Sequence, residues 1–172
     1  VEKPDVDESF PPDLPVTQVA RYLAVKKAES FRLNIHQEIV ITADTVVILQ
    51  DTILNKPADR QEAISMLSQL SGKTHLVMTG VCILSAAKEE SFDDTTEVTF
   101  KQLSLSDIEY YVDHYKPYDK AGAYGAQDFI GMIYMEEGPA ASVKHEPVEL
   151  ITGTPQVMAS INGIPKPSKS EG

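Results

Sequence analysis

Residues 39–57 read IVITADTVVILQDTILNKP, and the parsing of this stretch decides the fold. Ile39-Val40-Ile41-Thr42 and Val46-Val47-Ile48-Leu49 are rich in β-branched apolar residues, the composition of a strand covered on both faces. Gln50-Asp51 breaks the run and Thr52-Ile53-Leu54 resumes it. The stretch therefore predicts a hairpin with a two-residue turn, closed by Pro57, which cannot continue a central ladder. Asp44 lies inside the first run. A carboxylate is almost never buried in a strand without a partner, so Asp44 is either paired or functional. The hairpin allows Asp44 and Lys56 to meet at one end of the unit.

Toward the N-terminus, Thr17 is a plausible cap for a helix through QVARYLAVKKAESFR. Val19, Leu23 and Lys27 are four apart and share a face. Two readings of Lys27 stand: a solvated ammonium whose stem covers the core edge, or a cation aimed into a cleft. Residues 1–16 hold four prolines and five acidic groups and read as extended and irregular.

Toward the C-terminus, a helix starts at Ala58 or Asp59, carries a core stripe of Ala63, Ile64, Met66, Leu67 and Leu70, and ends on Gly72. THLVMTGVCILSA reads as a buried strand, and EESFDDTTEVTFKQL as a further strand with Val98 and Phe100 on one face. Ser106 is assigned as the cap of a third helix that stops at Pro117. The stretch YDKAGAYGAQDF then brings two glycines and the polar trio Asp119, Lys120 and Gln127 together. Such glycines mean close backbone approach, and their spacing is not that of a dinucleotide fingerprint. Gly131–Met135 and Val148–Thr152 read as short strands and Pro155–Ile161 as a last helix. A single domain over 1–161 and a disordered tail over 162–172 are expected.

Of the 172 residues, 42% are hydrophobic, enough for one core. A net charge of −11 argues against a nucleic-acid partner, since phosphate backbones are bound by concentrations of Lys and Arg. Cys82, the lone cysteine, excludes an intrachain disulfide and reads as a small buried hydrophobe. No apolar run reaches membrane-spanning length, so no membrane association and a cytoplasmic location are expected. His114 has no second ligand at metal spacing and reads as a satisfied histidine.

In order along the chain stand Asp7-Glu8-Ser9, Ala24-Val25-Lys26-Lys27-Ala28, Ala43-Asp44-Thr45-Val46-Val47 and Leu54-Asn55-Lys56-Pro57. Leu70-Ser71-Gly72-Lys73-Thr74-His75, Thr79-Gly80-Val81, Thr96-Glu97-Val98-Thr99-Phe100 and Asp119-Lys120-Ala121-Gly122-Ala123-Tyr124-Gly125 with Gln127 follow. This collinear set resembles the Maf family of nucleoside triphosphate pyrophosphatases, related to septum-formation inhibitors. The resemblance implies an α/β fold, a mixed sheet flanked by helices with two lobes around a cleft, and a homodimer. It implies Mg²⁺- or Mn²⁺-dependent hydrolysis of a nucleoside triphosphate to monophosphate and pyrophosphate. The Asp-Lys-Ala-Gly-Ala-Tyr form resembles the branch acting on dTTP and UTP.

Carried onto this sequence, the family's pattern makes Asp44 a metal ligand or general base and Glu8 a second carboxylate at the metal. Lys56 and Lys27 would offset phosphate charge, Gln127 would orient water or contact phosphate, and Thr45 and Lys120 would contact substrate. Charge on a leaving pyrophosphate calls for such cations. The family's opening strand and Ser-x-x-Arg phosphate loop have no counterpart in these residues, so weakened triphosphate binding is expected. A non-catalytic Maf-like interaction protein in cell-division control is the competing reading. An inosine or xanthosine triphosphatase fits the motifs less well.

Overall fold

The computed structural model describes residues 6–135 and 157–160. The hairpin forms where the sequence places it. Strand β1 (Ile39–Leu49) turns through Gln50-Asp51 into β2 (Thr52–Leu54), with Leu49 opposite Thr52. Gln50 takes φ 57°, the left-handed backbone that the first turn position of such hairpins demands. Strands β3 (Thr74–Leu84) and β4 (Glu89–Thr99) extend the sheet antiparallel in the order β2-β1-β3-β4. A short strand β5 (Val157–Ser160) runs parallel to β1 at Ile39–Thr42, which makes the sheet mixed.

Alternation along β1 divides the core in two. Val40, Thr42, Val46 and Ile48 face helix α1 (Val19–Glu29), packing with Val19, Ala20, Leu23 and Ala24. Val47 and Leu49 face the other way, into a larger core with helices α2 (Arg60–Leu70) and α3 (Leu105–Tyr115). Helices thus cover both faces of an α/β sheet, as expected for a central strand with few polar residues. Cys82 is fully buried among Ala24, Ala28 and Leu84, and burial pushes its thiol up to about 11.

Gly80 determines how closely α1 seats. It lies opposite Asp44 in the β1–β3 register, and a Cβ there would come within 2.3 Å of the Arg21 backbone nitrogen. Only a residue without a side chain admits the helix backbone at that distance. Among the described residues strand β4 is the outer strand on its side, and it is lined by exposed Asp, Glu and Thr residues, a pattern that discourages edge pairing.

Several local expectations are corrected. Helix α1 begins at Val19 after a 3-10 turn over Val16–Gln18, without a side-chain cap from Thr17. Helix α3 is capped by Ser104, not Ser106: the Ser104 hydroxyl accepts from the Asp107 backbone N–H at 3.2 Å. Gly131–Met135 is not a strand. Helix α4 spans Phe129–Tyr134, and a Cβ on Gly131 would lie 2.2 Å from the Ala126 carbonyl oxygen, so glycine lets the helix turn close on its preceding loop. The last helix over Pro155–Ile161 is likewise replaced, over Val157–Ser160, by β5. The strand assigned to Val148–Thr152 and the tail 162–172 lie outside the described residues.

Candidate functional site

Lys27 is the residue that organises the site. Its place on α1, one helical turn after Leu23, carries it onto the sheet face, where it is 5% exposed. A buried ammonium must be paired. Its Nζ donates to Asp44 Oδ1 and lies 3.1 Å from Glu8 Oε1. Lys27 is therefore not the solvated ammonium of the first sequence reading but a buried, paired one. Glu8 in turn extends its second oxygen, Oε2, to Lys56 Nζ at 3.3 Å. The result is a chain of alternating charge, Asp44–Lys27–Glu8–Lys56, assembled from β1, α1, the N-terminal arm and the end of the hairpin.

Each contributor has a local reason to be there. Asp44 faces α1 because it shares strand parity with Thr42, whose hydroxyl donates to the Ala24 carbonyl at 2.6 Å. Lys26 anchors the arm through the Ser9 carbonyl at 2.8 Å and Asp7 Oδ2 at 3.7 Å. The Asp7 carboxyl is held below its usual range by hydrogen bonds from Ser9, chiefly. Sequence reasoning did not assign Lys26 a role; its adjacency to Lys27 was the available signal.

The electrostatics separate the two carboxylates. Burial drives the Asp44 carboxyl above the usual carboxylate range, outweighing the pull of Lys27. Burial also pushes on Glu8, but there Lys27 and then Lys56 prevail and hold it below its ordinary value. For Lys27, burial favours the neutral amine, and the Asp44 and Glu8 carboxylates together overcome it and keep the ammonium charged. Two nearby carboxylates with shifts of opposite sign are the pattern of a site with divided roles.

The loop after α3 closes in from the other side of β1. Gly122 N–H donates to the Asn55 carbonyl at 3.2 Å, tying the loop to the residue before Lys56, and a Cβ on Gly122 would meet Val47 at 3.0 Å. Gly122 and Ala123 take φ 67° and 60° in succession. A left-handed alanine costs about 1 kcal/mol or more, a cost sustained only where surrounding contacts dictate the conformation. Those contacts are visible: the Tyr124 hydroxyl pairs with His75 Nε2 at 2.7 Å, and the Tyr111 hydroxyl donates to Asp128 Oδ2 at 2.8 Å. Tyr111, His75 and Asp128 were assigned no role from the sequence, since nothing in their spacing links one to another.

Not every expected site residue joins the charge chain. Thr45 is on the opposite face of the sheet from Asp44, with its hydroxyl 2.8 Å from that of Thr79. Lys120 pairs with Asp119 at 3.0 Å, and Asp119 in turn feels the Lys56 charge. Gln127 is exposed, in the turn between Gly125 and Asp128, and no hydrogen bond among the described residues ties it to Asp44.

For a divalent metal, the donor set decides the fit. No group of three or more His, Cys, Asp or Glu side chains suited to a metal occurs among the described residues, which rules out an all-protein cage there. Asp44 and Glu8, two carboxylates on either side of Lys27, match the other pattern: a hard ion held by one or two carboxylates and completed by water and phosphate oxygens. The residues present fit Mg²⁺ or Mn²⁺ in that mode.

The chain is 46% identical over 153 residues to a Porphyromonas gingivalis protein named dTTP/UTP pyrophosphatase, spanning 86% of this chain and 77% of the relative. Relatives with the same name from Bacteroides thetaiotaomicron and Flavobacterium psychrophilum are 47% and 45% identical over 76% and 75% of this chain, and 68% and 67% of their own lengths. A family profile described as Maf-like protein matches residues 1–144. With the order of its motifs, its helix-covered sheet and these relatives in agreement, the chain belongs to the Maf family.

Proposed function

We propose that this protein hydrolyses dTTP or UTP to the nucleoside monophosphate and pyrophosphate. The observation that carries the reading is Asp44: a carboxylate in a largely desolvated position, pushed above its ordinary pKa, beside two lysines. A carboxylate raised in this way is a stronger base than an ordinary one, which suits a group that takes a proton from water. The names of the relatives supply the substrate class.

In the reaction, a water oxygen bonds to the α-phosphorus as the P–O bond to the α–β bridging oxygen breaks. Asp44 accepts the water proton, and pyrophosphate leaves with the bond's electron pair. Lys27 and Lys56 offset the charge that builds on phosphate oxygens, each contribution of this kind being on the order of 2–4 kcal/mol. Gln127 orients the water or holds a phosphate oxygen, and Thr45 and Lys120 contact the substrate. Mg²⁺ or Mn²⁺, held by Asp44 and Glu8, would supply Lewis-acid polarisation of the phosphates. The reading extends to a cytoplasmic homodimer with its site in a cleft between two lobes and no nucleic-acid partner.

The test is product analysis with UTP and Mg²⁺. UMP and pyrophosphate are expected, and UDP with orthophosphate would overturn the reading. Asp44→Asn should lower turnover by roughly 10²–10⁴-fold, the usual span for loss of a general base, while far-ultraviolet circular dichroism stays unchanged. The competing reading, an interaction protein without catalysis, requires that calorimetric titration of UTP with Mg²⁺ give no binding.

A further inference from the structure

We propose that Tyr111 and Asp128 are positioning residues, a part-buried latch that fixes the turn carrying Gln127. The inference deepens the functional reading above and rests on it where Gln127 is concerned. The turn runs from Gly125 to Asp128 and is closed by the Asp128 N–H donating to the Gly125 carbonyl at 3.0 Å. Gln127 is its third residue. Tyr111 comes up beneath it from α3, its side chain fully buried. One hydroxyl engages both ends of the turn: it donates to Asp128 Oδ2 at 2.8 Å and accepts from the Gly125 N–H at 3.3 Å.

Three features set this apart from an incidental contact. Asp128 occupies the cap position of α4, where a carboxylate ordinarily accepts from the helix's own first N–H groups, yet it makes no side-chain cap bond. Its carboxylate is committed to Tyr111 instead. The latch also leaves no slack, since a Cβ on Gly125 would lie 2.6 Å from Asp128 Oδ2 and 3.2 Å from Lys120 Cε. Finally, burial and then the Asp128 hydrogen bond drive the Tyr111 hydroxyl far above its ordinary pKa, so it remains a proton donor throughout the working range. The turn's backbone is thereby determined by α3, an element anchored in the main core through Ile108, Tyr111 and Val112.

A latch of this kind acts on the placement of Gln127 and not on nucleotide binding by the charge chain. Tyr111→Phe removes one oxygen and preserves the ring packing. Two readouts test it. In hydrogen–deuterium exchange, the peptide covering 119–128 should exchange at least about tenfold faster in Tyr111→Phe and in Asp128→Ala, because the Gly125 N–H loses its acceptor or the turn its anchor, while β1 and β3 peptides stay unchanged. Unaltered exchange in that peptide would overturn the latch whatever the activity shows. In kinetics with UTP, Tyr111→Phe should lower kcat about tenfold with KM within about twofold, and should add nothing in a Gln127→Ala background. Equal losses in both backgrounds would overturn the link to Gln127. A Gln127→Ala variant with full kcat would instead remove the role of Gln127 itself, with the exchange result still deciding the latch.

Discussion

His75 offers a sharp test of the core, because its protonation is coupled to folding. The ring is 2% exposed, edge-on to Phe100 at 5.2 Å and to Tyr124 at 5.5 Å between ring centres. Nε2 pairs with the Tyr124 hydroxyl, and Nδ1 has no hydrogen-bond partner among the described residues. Burial lowers its pKa from 6.5 to about 4. The unfolded chain therefore takes up a proton near pH 6.5 that the folded protein refuses until about pH 4. A depressed folded pKa gives stability that is complete above the unfolded value and is lost as pH falls toward the folded one. At 1.36 kcal/mol per pKa unit, the loss is about 2 kcal/mol by pH 5 and about 3 kcal/mol by pH 4. Glu8 and Glu38 also titrate on acidification, so the measurement needs a reference. His75→Gln, which keeps a polar group for Tyr124 and cannot ionise, supplies it. Urea unfolding of both proteins from pH 7.5 to 4.5 should show wild type losing about 2–3 kcal/mol more than the variant. Parallel stability curves would refute the reasoning.

Two further outcomes follow from features of the site and its support. Lys27→Met should destabilise the protein by about 3–5 kcal/mol near neutral pH by stranding a buried Asp44 carboxylate, and adding Asp44→Asn should recover a large part of it; equal single and double variants in urea unfolding would contradict the pairing. Gly80→Ala should cost more than about 2 kcal/mol and lower the thermal midpoint, because its methyl group would collide with the α1 backbone; an unchanged midpoint in a calorimetric scan would show that α1 is free to lift.

Local chemistry written in one stretch was legible. The helix expected from Ala58 or Asp59 formed over Arg60–Leu70 with Asp59 as its cap, and the β-branched runs around Asp44 and the two-residue break at Gln50-Asp51 formed at the positions read from sequence. So did the shared face of Val19, Leu23 and Lys27, which needs only helical periodicity. The misses have distinct physical causes. Ser104 and Ser106 are both good caps, and what selects Ser104 is the Asp107 backbone N–H three residues on, a half-turn offset that residue type alone does not resolve. Gly131–Met135 is an apolar run too short for periodicity to separate helix from strand. Val157–Ser160 takes its conformation from an unoccupied edge at the start of β1, more than a hundred residues away in sequence, and strand pairing of that kind overrides local preference. The latch and the His75–Tyr124 contact were invisible for the same reason: each joins elements whose approach is a product of packing.

The alternating chain of Asp44, Lys27, Glu8 and Lys56 has a formal sum of zero, two carboxylates against two ammonium groups. Such a site is electrically satisfied before anything arrives. Under the proposed function, an incoming polyanion would not fall into a standing positive well; it would have to take Lys56, and in part Lys27, away from Glu8, and the released carboxylate would then need a cation of its own. On the proposed reading, recognition at this site would be a trade of partners, in which anion and metal each supply what the other's arrival leaves uncompensated. Neither should bind strongly alone.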